Sequence, residues 1–380
     1  MDILTYTDAH RDFQKRLRAF LAEAVVPHID QWEAAHRIPH KVWERMGRHG
    51  FLCPCTDPAY GGLGGDFLYA VVVAEEMARI NFTGLCAVLH SDIVVPYIES
   101  YGTQDQKRKY LPGCVSGDIV TAVGMTEPDA GSDLAAMTTT AVETGDEIVI
   151  DGAKTFISNA LNCDLVVLAA RDPAVENPHQ AISLYLVEAD TPGFKKGEPF
   201  EKMGWNSQDT GELFFSGCRI PLQNRLGQPG RGFLMLMEKL QQERLLCALF
   251  GVFGAEFMVR WTTDHCKTAA FGGKPLTRSQ AVQFALVEMA TEVKLGRAFT
   301  ETLISDHMAG RNVVVETAMA KYWTTETAKR IALRCLDLYG ESGMLESCPV
   351  ARAWRDVRIT SIFAGTNEIM KGIAAKFMGL

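Results

Sequence analysis

The chain has 380 residues, long enough for two or three domains with well-buried cores. Its 38 basic and 46 acidic residues leave a net charge of −8, which argues against a nucleic-acid partner. Ten cysteines are scattered, and Cys53-Pro54-Cys55 has no second pair or nearby histidine to complete a zinc site, so no metal is expected and the thiols read as reduced.

Residues 1–8 lack a basic region followed by an apolar run, so neither a secretory nor a mitochondrial address is read and a cytoplasmic location is expected. Residues 1–118 read as an N-terminal all-α domain. Phe13, Leu17, Phe20, Leu21 and Val25 recur at helical spacing with charges opposite. Further helices are expected over 71–79, after Ser91, and over 104–110. Tyr60-Gly61-Gly62-Leu63-Gly64-Gly65 has the glycine density of a dinucleotide loop, but no strand precedes it and no βαβ unit surrounds it, so it reads as a flexible loop. The apolar run 67–73 stops at Glu75-Glu76, short of the roughly 18–20 residues of a membrane span, and no span is expected.

Residues 119–230 switch to short β-rich runs between turn residues, the pattern of a small barrel or sandwich. Residues 147–150 lead through Asp151-Gly152 into 154–158, which reads as a hairpin. Strands over 165–169, 182–187 and 212–215 continue the series. Met125-Thr126-Glu127-Pro128-Asp129-Ala130-Gly131-Ser132-Asp133 opens this domain with two hydroxyls, three carboxylates, a proline and a glycine. Such a segment makes a poor helix and a poor central strand, and its exposed N–H groups and hydroxyls suit the polar edge of a cofactor or a phosphate. A solvated turn is the plain alternative. Residues 231–380 are helical again, with no proline between Pro275 and Pro349 and long apolar-periodic stretches over 281–308 and 313–338, as a four-helix bundle requires.

This order of domains, together with the nine-residue turn, resembles the acyl-CoA dehydrogenase family over essentially the whole chain. The wording is most similar to the long-chain and isovaleryl-like members. It rests on Leu89-His90-Ser91-Asp92-Ile93-Val94, Phe156-Ile157-Ser158-Asn159, Gln208-Asp209-Thr210, Gln242-Glu243-Arg244-Leu245-Leu246 and Gly365-Thr366-Asn367-Glu368-Ile369-Met370-Lys371. The resemblance implies FAD as cofactor and α,β-dehydrogenation of an acyl-CoA thioester. It assigns the flavin to Val123, Met125, Thr126, Gly131, Ser132, Phe156, Ile157 and Ser158, with Thr366 and Glu368 as further cofactor positions, and places Ser132 against the CoA moiety. Each has a structural alternative: Phe156 and Ile157 filling a β core, Thr366 capping a helix.

The chemistry needs a base for the α-proton, donors for the enolate-like oxygen, and a hydride acceptor beside Cβ. Many family members carry a glutamate where this chain has Ala364, and alanine accepts no proton. The long-chain and isovaleryl-like members place the base on a helix directly before an arginine, a position held here by Glu243 before Arg244. Leu245, Leu246, Ala248, Leu249 and Phe250 follow it, so the carboxylate borders an apolar stretch. Adjacent helical residues point apart, which disfavours a simple Glu243–Arg244 surface pair. Under this reading the Ala364 N–H serves the thioester oxygen and Arg244 orients the base. His90, with Cys86, Leu89 and Ile93, is expected to border the acyl tail, though a helix core explains them equally.

The chain departs from the family pattern at Thr268, where an arginine is usual, and at Asp337 and Glu341, where a neighbouring subunit's diphosphate sits in relatives. A homotetramer that passes electrons to electron-transferring flavoprotein is the favoured reading. A flavin oxidase or monooxygenase of the same fold, and a non-catalytic partner subunit of a heteromer, are the alternatives. Long, branched and cyclic acyl groups all remain open.

Overall fold

The computed structural model describes residues 3–82 and 84–380. Helices α1 (Asp8–Ala24), α2 (Ile29–Ala35), α3 (His40–Arg48), α4 (Leu68–Arg79), α5 (Val95–Tyr101) and α6 (Gln104–Ser116) make the N-terminal domain. A capping box of Thr7 and His10 starts α1, and Phe13, Leu17, Phe20, Leu21 and Val25 are all buried, as their spacing demands. A π-helical segment, Leu89–Val94, runs directly into α5. Its wider turn buries His90, Ser91 and Asp92 together, a device that recurs at functional sites.

Strands β1 (Thr121–Gly124), β2 (Thr140–Thr144), β3 (Glu147–Ile157), β4 (Leu165–Arg171), β5 (Ile182–Glu188), β6 (Phe194–Pro199), β7 (Gly211–Pro221) and β8 (Arg225–Leu226) form one sheet. Their order is β6-β7-β3-β2-β4-β5-β8, with β1 parallel to β4 and the one-turn helix α7 (Pro178–Ala181) leading into β5. Strands β2 and β4 pair only at Thr140 and Arg171, so the sheet folds back there. Its halves enclose a shared core of Ile148, Ile150, Leu213 and Phe215 against Val166, Leu168, Tyr185 and Val187. Alternate residues of β4, Leu165, Val167 and Ala169, point the other way, into the core shared with the helices. That two-sided burial explains why β4 is apolar throughout instead of alternating.

One reading of the sequence is corrected here. Asp151-Gly152 is not a hairpin turn but lies inside the continuous strand β3, where the register against β7 shifts. The hairpin closes two-residue fashion at Gly145-Asp146, between the paired Thr144 and Glu147, with Gly145 at φ +64°. Gly152 adopts φ +144°, and a Cβ there would meet the Thr139 hydroxyl at 2.6 Å, so the glycine marks a bulge.

The C-terminal domain contains α8 (Gly232–Thr268), the two-residue strands β9 (Ala270–Phe271) and β10 (Lys274–Pro275), then α9 (Gln280–Met308), α10 (Val314–Tyr339), α11 (Pro349–Val357) and α12 (Asn367–Phe377). Helix α10 packs on α8, α9, α11 and α12. Contrary to the run-length reading, α8 is long and apolar enough to cross a membrane by length and composition, yet 72% of that stretch is buried inside the protein. It is the bundle's core helix, and α4 and α5 of the N-terminal domain lean on it.

Candidate active site

The nine-residue turn is built around a buried ion pair. Lys154 Nζ, with no exposed surface, lies 2.7 Å from Glu127 Oε1 and donates to the Met125 carbonyl at 3.2 Å. Glu127 also accepts from the Thr138 N–H at 2.6 Å, the Thr138 hydroxyl at 2.8 Å and the Thr139 N–H at 3.0 Å. Burial alone would raise its pKa, but the Lys154 charge and these donors outweigh that and hold it at about 2. Reciprocal Glu127–Ala130 backbone bonds close Pro128-Asp129 into a tight turn. Anchored at its start, the segment leaves Gly131, Ser132 and Asp133 exposed and Val123 and Thr126 half-buried. Met125 is buried, so its side chain packs beneath this lip.

The neighbouring strand adds an aromatic. Thr155 donates its N–H to the Thr126 carbonyl at 2.9 Å, joining β3 to the turn. Phe156 then stands out of the sheet with 69% of its surface exposed and a left-handed backbone, φ +56°. A bulky residue in that conformation costs about 1–3 kcal/mol, and such strain persists at ligand sites. Ile157 points into the β core, so only its main chain is free for a cofactor, while Ser158 is half-buried. Gln208 fixes this corner by accepting from the Asn159 N–H at 2.9 Å and donating to the Gly84 carbonyl at 3.2 Å. An exposed ring beside a polar lip fits a flat aromatic ligand with hydrogen-bonding edges.

The same loop reaches the third domain. Phe200 packs on Phe156 at 5.2 Å, and Trp205 packs edge-on against Phe363 at 5.4 Å. Asp356 accepts from the Trp205 N–H at 2.6 Å, locking the loop to α11. Beyond Phe363 the chain makes two left-handed residues in succession, Ala364 at φ +54° and Gly365 at φ +94°. Two cations hold their carbonyls. Arg244 Nε donates to the Ala364 oxygen at 3.3 Å, and Lys321 Nζ to the Gly365 oxygen at 2.7 Å. Among the described residues, the Ala364 N–H donates to no protein acceptor.

Beside this clamp lies Glu243. The residue keeps some surface, but Oε2 is wholly enclosed and has no hydrogen-bond partner among the described residues. Burial raises its pKa from the ordinary 4.5 to about 7, with Arg244 and Lys321 opposing the shift. A carboxylate poised near neutrality and without a partner, on the residue before the arginine that clamps this turn, can take a proton from a bound carbon acid. It is not a surface charge pair with Arg244, which turns instead to Ala364.

The other expected residues separate. His90 is fully buried, with Nδ1 2.8 Å from the Thr121 hydroxyl and Nε2 3.0 Å from the Cys114 carbonyl. Both ring nitrogens are committed to tying α6 to β1, which corrects the expectation that His90 serves a substrate. Thr366 caps α12 by accepting from the Ile369 N–H at 3.2 Å, and Glu368 is exposed in the first turn. Thr268 is exposed and bonds back to the carbonyls of Asp264 and His265, while Gly272 and Gly273, both at positive φ, close the β9–β10 hairpin. Asp337 and Glu341 are exposed.

Lys321, Lys154 and Trp205 escaped the sequence reading. Lys321 had a legible signal: Thr317, Thr324, Thr325 and Ala328 share its helical face and are all buried, so a lysine among them demands an acceptor.

Comparison with known proteins follows the same three-part division. Models of the acyl-CoA dehydrogenase N-terminal, middle and C-terminal domains match residues 7–118, 122–218 and 230–379. The mitochondrial long-chain specific acyl-CoA dehydrogenase of Mus musculus is 40% identical over 98% of this chain and 86% of its own length. An acyl-CoA dehydrogenase of Bacillus subtilis (strain 168) is 31% identical over 96% of both. The crystal structure of an acyl-CoA dehydrogenase from Geobacillus kaustophilus superposes with a TM-score of 0.97 at 48% identity, covering 99% of each chain. With its three domains matched in order, the chain belongs to the acyl-CoA dehydrogenase family, oxidoreductases acting on a CH–CH group.

Proposed function

We propose that this chain binds FAD along the lip of Val123, Thr126, Gly131, Ser132, Phe156 and Ser158 and converts an acyl-CoA thioester to its trans-2-enoyl-CoA, with Glu243 as the α-proton base. FAD, when bound, supplies the acceptor for the Cβ hydride. The observation that carries the reading is the enclosed, partnerless Glu243 Oε2 beside the Arg244–Ala364 clamp. Arg244 and Lys321 anchor the carbonyls that follow Ala364, steadying the turn whose Ala364 N–H is the proposed donor for the thioester oxygen, where charge grows as the proton leaves. Alanine at 364 presents that N–H without a second acid.

Ser132, exposed on the lip, is the position proposed to meet the CoA moiety. The name of the Mus musculus relative supports a long acyl group. A homotetramer is supported by the large apolar side chains left exposed on the C-terminal bundle, Phe284, Val287 and Leu295 on α9, Leu333 on α10, and Phe377 and Leu380 at the end. Electron-transferring flavoprotein is the proposed acceptor. The decisive variant is Glu243→Gln, which should retain flavin colour and lose turnover about 10²–10⁴-fold or more. Near-normal turnover removes Glu243 from the mechanism.

A further inference from the structure

Resting on Glu243 as base, we infer that Tyr97 is a positioning residue whose phenol O–H donates to the Glu243 carboxylate, directly after a side-chain rotation or through one enclosed water, and holds it in its ionised, proton-accepting state. Two enclosed polar atoms without partners carry this. Tyr97 has no exposed surface, and its hydroxyl, like Glu243 Oε2, meets no hydrogen-bond partner among the described residues. Buried polar groups are almost always paired, because an unmade bond leaves the full desolvation cost. An unmatched donor and an unmatched acceptor in one region are therefore each other's natural complement.

Two hydrogen bonds tie their segments to each other. Tyr101 on α5 donates to Glu238 on α8 at 2.6 Å, and Gln242 on α8 donates to the Asp92 carbonyl just before α5 at 2.5 Å. Tyr97 lies between Asp92 and Tyr101, and Glu243 directly follows Gln242, which makes the second tie on α8. The groups coupled electrically to Glu243 come from each packed element: Arg244 and Cys247 from its own helix, Lys321 from α10 and Tyr97 from α5. Burial, and then the Glu243 charge, keep the phenol un-ionised, so it remains a donor throughout the working pH range. Arg244 and Lys321 are engaged with the carbonyls of Ala364 and Gly365, so the two cations spend donors elsewhere.

Tyr97→Phe keeps the ring and deletes only the hydroxyl. Flavin-loaded parent and variant would be compared by the pH dependence of kcat, using whichever acyl-CoA from butyryl- to palmitoyl-CoA the parent turns over fastest. A lost hydrogen bond to the charged form should move the acid limb up by roughly one to two pH units, so activity at pH 6 falls about tenfold or more and converges toward the parent only above about pH 9. KM should change little, and the thermal midpoint at pH 8 should fall, because the ionised buried carboxylate loses its donor. Superimposable pH profiles overturn the inference. So does a raised KM with an unmoved acid limb, which makes Tyr97 a substrate contact. Glu243→Gln separates the two readings: if it keeps turnover, the base assignment fails, and if it is dead while Tyr97→Phe is unshifted, only the positioning role fails.

Discussion

Replacing Lys154 with methionine tests whether the ion pair under the nine-residue turn holds the cofactor lip. The substitution keeps a long, flexible side chain and removes one charge. Glu127 would remain buried with its donors from the Thr138 N–H, the Thr138 hydroxyl and the Thr139 N–H. Removing one partner of a buried pair costs ~3–5 kcal/mol. The surviving donors, worth ~1.5–3 kcal/mol each to a charged group, place Lys154→Met near the low end, about 3 kcal/mol. Glu127→Gln strands the lysine on the Met125 carbonyl and an amide, so it should sit near the high end, about 5 kcal/mol. Restoring neutrality with both substitutions should recover part of the loss. Urea unfolding, followed together with release of flavin fluorescence, reads both stability and lip integrity. The carboxylate's folded pKa of about 2 lies below its ordinary 4.5, so its contribution is complete above pH 4.5 and disappears as pH falls through about 2. Single variants within ~1 kcal/mol of the parent, with flavin retained, would refute the role given to the pair.

Activity should rise with pH through about 7, the value to which burial lifts Glu243, because only the ionised form accepts a proton; a flat kcat profile between pH 5.5 and 8 contradicts this. The same shift runs against stability. A folded pKa above the unfolded 4.5 means stability present below pH 4.5 is lost as pH rises through about 7, by at most ~3 kcal/mol. Glu243→Gln escapes that loss, so its melting midpoint should exceed the parent's at pH 8 and converge below pH 5; equal midpoints at pH 8 count against the burial argument. Lys321→Met removes the bond to the Gly365 carbonyl and should lower kcat about 10²-fold by loosening the Ala364 N–H, with the acid limb of the pH profile displaced upward. An unchanged kcat in that variant would show that the turn holds itself.

The helical parts were legible because one signal dominates them. Helices α9 and α10 end within a residue of the stretches read from apolar periodicity, since no proline interrupts them. The β domain was readable in type but not in detail. Asp-Gly suggests a turn whether it closes a hairpin or bulges a long strand, and only the partner strand β7 decides. Strands β1, β2, β6 and β8 were not read: β1, β2 and β8 are only four, five and two residues long, and β6 carries Lys195, Lys196 and Gly197 at a sheet edge. At the proposed site, the enclosure of the Glu243 carboxylate was legible as a charge bordering an apolar run. The Glu127–Lys154 pair spans 27 residues and the Arg244–Ala364 clamp 120, so no local pattern announces either. His90 misled for the opposite reason: a polar residue amid apolar ones signals burial, and burial does not say whether its partner is a substrate or a carbonyl.

Proton removal by Glu243 is tested most directly by isotope exchange. Flavin-loaded enzyme, kept without an electron acceptor, would be incubated in D2O with the acyl-CoA it turns over fastest, and the recovered saturated thioester weighed by mass spectrometry. Parent enzyme should incorporate deuterium at Cα, and Glu243→Gln should do so about 10²–10⁴-fold more slowly. Exchange at the parental rate in that variant would contradict Glu243 as the base.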